Sequence, residues 1–186
     1  MPKKIQQTAF VKTHWKHKLS YGGELRKSHH GRGARPLSSK RSLHLVFKIN
    51  KTALRRGLRH PESYKVVNEV IAKYRRKFFV KIESLSVQGD HIHLMVRCSK
   101  RSLFQAFFKV VSGQIAQRLT GTFRESYEGP RVWKYRPFSR VVEGFRAAIV
   151  LRNYIQLNEC EARGERSYRK QRLKGMGPAQ LAELWA

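Results

Sequence analysis

Two imidazoles stand two residues apart in the run Gly89-Asp90-His91-Ile92-His93-Leu94-Met95-Val96. Side chains alternate faces along a strand, so His91 and His93 project the same way while Ile92, Leu94 and Val96 point to the opposite face and a core. The pair therefore offers two metal ligands on a strand anchored by its other side. Alone, a His-x-His is more often a pair of half-buried histidines satisfied by backbone than a metal site. About sixty residues later, Tyr154 and Asn158 lie four apart in an apolar-patterned segment and share one helical face. A tyrosine oxygen can attack phosphorus, and a neighbouring amide oxygen can complete a metal site with two imidazoles. Spacing alone favours a plainer role for Tyr154, as a core or interface residue.

The chain has 186 residues, with 40 Lys and Arg against 12 Asp and Glu, a formal charge of +28. Its length suits one domain with tails. Charge of this size opposes compaction unless a polyanion is the partner, which points to nucleic acid ahead of an anionic membrane surface. Nothing approaches the roughly 18 consecutive apolar residues of a membrane span, and Met1-Pro2-Lys3-Lys4 lacks an apolar signal core. Cys98 and Cys160 form no Cys-x-x-Cys pair, which fits a reducing cytoplasm and argues against a zinc finger. Asp90 is the only aspartate. A nuclease built on a carboxylate cluster around hard cations is thereby disfavoured, and phosphoryl chemistry must run on the histidines.

The elements that must position these residues follow from the hydrophobic pattern. Residues 1–41 hold eleven Lys or Arg and one acid, Glu24, without sustained periodicity, and read as a flexible basic arm. Within it, Gly31-Arg32-Gly33-Ala34-Arg35-Pro36 has the character of arms that lie in a minor groove, although a solvated tail that screens phosphates is the commoner case. Alternation from Ser42 to Ile49 predicts a strand, and Pro61 opens a helix to about Lys77. Phe79–Val87 and residues 91–98 predict a hairpin about Gln88-Gly89-Asp90. A helix over 102–120, a strand from Val132 to Val142 and a helix over 143–163 follow. A basic tail over 165–186 closes the chain, with a short helix at 178–185. The order β-α-β-β-α-β gives an α+β class: a ferredoxin-like, split β-α-β antiparallel sheet with two helices on one face. An additional tyrosine-bearing helix is then free to cover the histidine face of a domain spanning 42–164.

His91-Ile92-His93-Leu94, followed on a later helix by Tyr154-Ile155-Gln156-Leu157-Asn158, resembles the single-tyrosine HUH transposases of the IS200-like group. The similarity is greatest to relatives associated with repetitive extragenic palindromes. It runs from about Ser42 to Gly164 and includes His44-Leu45-Val46-Phe47 and the strand from Val132-Trp133 to Val142. Two departures stand out: Glu159 where family members often have proline, and Asn158 where the insertion-sequence enzymes place glutamine. The resemblance implies cleavage and rejoining of single-stranded DNA next to a hairpin, with Tyr154 as nucleophile, a 5′-phosphotyrosine intermediate and a free 3′-hydroxyl. A free phenol has a pKa near 10, so a divalent cation on His91, His93 and Asn158 would be needed to polarise the phosphate. Mixed imidazole and oxygen ligation suits Mg²⁺ or Mn²⁺ rather than a closed structural zinc.

Around this centre Asp90 could orient an imidazole or serve only its turn, and His44 could face the site or be half-buried filler. DNA contacts are expected from Arg32, Arg35, Lys40, Arg41, Lys134, Arg136, Arg166, Arg169, Lys170 and Arg172, with both tails serving DNA capture rather than chemistry. Trp133, Tyr135 and Phe138 could stack unpaired bases, although core packing explains Trp133 equally well. The partner expected is single-stranded or hairpin DNA, and the setting a prokaryotic cytoplasm at the nucleoid. A monomer and a homodimer are both compatible, with Tyr154 serving its own histidines or those of a second subunit. A binding module that recognises structured DNA or RNA without cutting it is the alternative. A ribosomal-type basic protein would explain the charge but neither the histidine pair nor Tyr154.

Overall fold

A computed structural model describes residues 19–27, 34–121 and 128–185. Arg32 and the histidines at 14, 17, 29 and 30 lie outside the described residues. One antiparallel sheet of five strands forms the frame: β1 (Ser20–Tyr21), β2 (Leu43–Lys48), β3 (Lys81–Val87), β4 (His91–Arg97) and β5 (Phe138–Val141), in the order β1-β5-β2-β4-β3. Helix α1 (Pro61–Lys77) connects β2 to β3, and β4 returns between them, which is the split β-α-β arrangement. Helix α2 (Arg101–Thr120) leads on towards β5. Helix α3 (Phe145–Arg163) carries Tyr154 and Asn158, and a short α4 (Pro178–Ala182) closes the chain.

The two faces of the sheet follow from strand alternation. Leu43, Leu45 and Phe47 of β2 and Ile92, Leu94 and Val96 of β4 are fully buried on one face. They meet Val67, Val70 and Ile71 of α1 and Phe104, Phe107, Val111 and Ile115 of α2 in one core. The other face carries His44, Val46 and Lys48, with His93 opposite Val46 and His91 opposite Lys48. Helix α3 lies over this face against β3 and β4, so that β4 is buried on both sides from Ile92 to Val96.

Three regions differ from the sequence pattern for identifiable reasons. The strand expected from Val132 to Val142 is a ladder only from Phe138, because Pro137 has no N–H to donate. Before it, Trp133 makes a lone bridge to Ile49, and the indole Nε1 donates to the Ser112 carbonyl at 2.9 Å. Part of the arm joins the sheet as β1 and continues into a short 3-10 helix at Gly23–Lys27. Ser20 and Tyr21 pair with Arg140 and Ser139, and a Cβ at Gly22 (φ +82°) would collide with the Pro137 carbonyl. Arg35 holds this edge: its guanidinium donates to the Pro137 carbonyl (3.0 Å) and Ser139 Oγ (2.7 Å) between the rings of Tyr21 and Phe108. The planar cation is thus engaged in packing at the residue for which the sequence suggested a minor-groove contact. The basic tail folds back too, as Leu173, Met176, Leu181 and Leu184 form a small second core with Leu157 and Cys160 of α3.

Phe47 is fully buried against Phe108 and Trp133, each at a centroid distance of 5.4 Å. Phe47→Ala is expected to cost about 3–5 kcal/mol in denaturant-unfolding measurements, the range for a large aromatic truncated in a close-packed interior.

Candidate functional site

The Gly89–Asp90 turn is fixed by backbone bonds before any side chain matters. Leu58 N–H donates to the Gly89 carbonyl at 2.8 Å and Ile49 N–H to the Asp90 carbonyl at 2.9 Å, which sets where β4 begins. Asp90 Oδ1 lies 2.6 Å from His91 Nδ1, so the carboxylate orients the first imidazole and leaves its Nε2 directed away. Burial pushes the Asp90 carboxyl up, but the hydrogen bond and charge of His91, with Lys48 and Lys51, hold it below its usual value overall.

His93 is deeper, at 6% exposure. Its Nδ1 is 3.1 Å from His44 Nε2 and the two rings are stacked, while its Nε2 is buried with no hydrogen-bond partner. Burial, then the nearby His44, His91 and Arg172, pushes the His93 pKa well below the ordinary imidazole value. Burial and the charge of Arg140 lower His44 to about 4. Both rings are therefore neutral near pH 7. A His93 that keeps a lone pair on Nε2 carries its proton on Nδ1 and donates it to His44 Nε2. In that state His44, on the same face one strand away, would fix the tautomer of its neighbour.

Helix α3 brings the second half of the constellation. The Tyr154 ring stands edge-on to His93 at 5.5 Å between centroids, and His91 is edge-on to His93 at 4.7 Å. Asn158, one turn on, is buried; its Nδ2 donates to the Tyr154 carbonyl at 2.6 Å, and its Oδ1 accepts from the Arg172 guanidinium. The structure thus brings His91, His93, Tyr154, Asn158, Asp90 and His44 to one place. Among the described residues no group of three or more His, Cys, Asp and Glu could hold a metal ion. The donors available are two imidazoles and an amide oxygen, and the orphaned Nε2 of His93 is the atom a cation would use. These donor types suit a divalent ion, and the amide oxygen is held here by Arg172.

Sequence reasoning missed several residues at this site. Glu159 is buried at 5% exposure, where it accepts from Arg59 (3.0 Å), from Arg163 (3.3 Å) and from the Val87 N–H (3.2 Å). Gln88 donates to the Asn158 carbonyl at 2.7 Å. Arg172 lies in a left-handed turn (φ 55°) with its guanidinium 5.3 Å from the ring centroids of both Tyr154 and Tyr168, and it also pairs with Glu161 at 2.7 Å. Arg172, expected with the rest of the tail at DNA, reaches the Tyr154 ring and the Asn158 amide. A carboxylate in so basic a chain, directly after Asn158, was the one available signal for Glu159. Arg172 was expected only as a DNA contact, and nothing in the sequence placed it beside Tyr154 and Asn158.

The other cations expected at DNA fall into separate groups. Lys40, Lys134, Arg136 and Lys170 have exposed side chains. Arg41 pairs with Glu143, and Arg166 with Glu183 at 2.8 Å. Arg169 is taken up inside the tail, donating to the carbonyls of Arg172 and Lys174 at 3.0 Å each.

Comparison with known proteins speaks to the family and the fold. The family model described as "Transposase IS200 like" matches residues 38–158, well over half of the chain. A REP-associated tyrosine transposase solved bound to a REP hairpin shares the fold, with a TM-score of 0.55 and 15% identity over 69% of this chain and 72% of that one. A chain from Deinococcus radiodurans R1 assigned as a transposase aligns with a TM-score of 0.41 and 17% identity, over 70% of this chain and 98% of its own. No curated protein matches the sequence. With nearly two thirds of its length matched by the family model, the chain belongs to the IS200-like transposase family, and its histidine strand and tyrosine helix are set face to face.

Proposed function

We propose that this protein cuts and rejoins single-stranded DNA beside a hairpin through a covalent bond to Tyr154, with a divalent ion, Mg²⁺ or Mn²⁺, held by His91, His93 and Asn158. The observation that carries the reading is the set of Tyr154 against His93 with its buried, unpartnered Nε2. The hairpin bound by the structurally similar REP-associated transposase supports the substrate class.

In the proposed reaction the Tyr154 oxygen forms a bond to phosphorus and the bond to the 3′ oxygen breaks. The 5′ phosphate is left on the tyrosine and the departing 3′ oxygen takes up a proton. Attack by a 3′-hydroxyl reverses these events and restores the phenol without external energy. A bound divalent ion supplies charge stabilisation at the scissile phosphate. The chain's own groups prepare the site. Asp90 and His44 each fix one imidazole so that its Nε2 faces inward, and α3 holds the phenol at the histidines of the same chain. Lys40, Lys134, Arg136 and Lys170 would meet phosphates, which position the strand without reading its sequence.

A second reading, binding without cleavage, draws on the Arg172 bond to Asn158, which occupies the third ligand atom. A covalent adduct separates the two. Labelled hairpin DNA with unpaired flanks, incubated with Mn²⁺ and run under denaturing conditions, should show a protein-linked band. Tyr154→Phe should lose it completely while binding DNA within about two-fold of the parent. An adduct of normal yield from the Phe variant removes Tyr154 from the chemistry, and none from the parent favours the binding module.

Two further outcomes are expected. His91→Ala should abolish Mn²⁺ binding by calorimetry and adduct formation with little change in melting temperature, because its ring stays partly exposed at the start of β4. Arg172→Met keeps the aliphatic stem but removes the guanidinium competing for Asn158. It should tighten Mn²⁺ binding by roughly ten-fold, the worth of one charge-assisted hydrogen bond.

A further inference from the structure

Helix α1 ends in a left-handed turn of the kind usually built on glycine. The Val80 N–H donates to the Arg75 carbonyl at 2.9 Å and the Phe79 N–H to the Arg76 carbonyl at 3.2 Å, the paired bonds of a Schellman cap. Phe79 sits at its positive-φ position (φ 52°), where a Cβ is penalised and glycine is preferred. Packing does not compensate. Phe78 turns inward, stacked on Tyr74 at 6.0 Å and against the core, whereas Phe79 is 77% exposed. An exposed aromatic in a strained position contributes nothing evident to the fold, and such outliers concentrate at working surfaces.

Its surroundings give the ring a partner. Arg75, Arg76 and Lys77 form the last turn of α1, and Lys81 opens β3 two residues beyond Phe79. Lys100 is brought alongside by Cys98, whose Sγ meets the carbonyls of Phe78 (3.9 Å) and Lys100 (3.3 Å). All five side chains are exposed, and none forms an ion pair among the described residues. Glu83, the carboxylate of β3, is taken by Arg97 and Ser42. Unpaired cations around a bare aromatic face match a single strand, whose phosphates take the charges while an unstacked base lies on the ring.

We propose that Phe79 and the cations around it form a binding site for unpaired DNA flanking the hairpin, separate from the Tyr154 centre. Arg97 ends β4 and pairs with Lys81, while His91 begins it, so the two sites stand at opposite ends of one strand, about 20 Å apart. The inference rests on the reading above only in taking single-stranded DNA as the ligand. A strand held here would run along the sheet towards the histidines, with its stem-loop held elsewhere.

The test is equilibrium binding of the full chain in a chelator, where no cleavage occurs, so that a failure of the proposed chemistry leaves the measurement intact. Two fluorescent probes are used: a stem-loop with unpaired flanks and the same stem-loop trimmed flush. Phe79→Gly and Phe79→Asn both accept the left-handed backbone and remove the ring. Each should bind the flanked probe roughly ten-fold more weakly, within the range for removal of one base–aromatic stack, with an unchanged salt slope. Binding to the flush probe should not change, and Phe79→Tyr should keep parental affinity. Arg75→Gln with Lys81→Gln should instead flatten the salt dependence, by about 0.7 for each phosphate no longer neutralised. Phe79→Gly should also melt at a higher temperature than the parent, so the weaker binding cannot come from misfolding. Parental affinity of Phe79→Gly for the flanked probe, or an equal weakening on both probes, overturns the proposal.

Discussion

The seat of α3 on the sheet rests on one buried carboxylate. Glu159 lies under the helix, where isolation would be prohibitive, and becomes tolerable only because Arg59, Arg163 and the Val87 N–H all donate to it. Arg59 precedes α1 and Val87 ends β3, so a single side chain ties the tyrosine helix to both parts of the frame. The position of Tyr154 relative to His93 follows from that attachment. So does the placing of Asn158, the residue before Glu159, beside Gln88. Where family members often have proline, this chain has an anchor. It holds the tyrosine against the histidines of its own chain.

In a molecule of charge +28, two imidazoles of the centre, His44 and His93, are kept uncharged. Burial and neighbouring guanidinium groups both oppose a proton on His44 and His93, so the cationic environment that draws a polyanion also keeps these rings neutral. The same environment leaves few carboxylates, and nearly every one described has a structural task. Asp90 orients His91, Glu83 and Glu161 hold arginines, and Glu159 anchors the helix.

The sheet and its helices were legible because their signals are local. Alternation at Leu43, Leu45 and Phe47, proline at the head of α1 and the Gly89-Asp90 turn each mark an element within a few residues. The histidine face and the cover by α3 followed from strand parity and element order. What escaped detection depends on long separations. Arg35 reaches Ser139 and Phe108, and Arg172 reaches back fourteen residues to Asn158 through a left-handed turn at a residue type that gives no hint of one. In a chain this rich in arginine, those that pack cannot be told by type from those that await phosphate. Phe78 and Phe79 make the same point, since adjacent identical residues have opposite fates set by one backbone angle.

The margins of the sheet have a consequence for how copies of the chain meet one another. One margin is β1, two residues long and turned away at Gly22 under the Arg35 clamp. The other is β3, which is irregular between Ile82 and Ser84 and begins with an exposed lysine. Among the described residues, neither offers a long, flat row of open backbone groups on which another strand could dock. A protein that gathers nucleic acid concentrates itself on it, and crowded sheets with open margins would fuse edge to edge. Blunting both margins lets many molecules share one polyanion without propagating their sheets into one another.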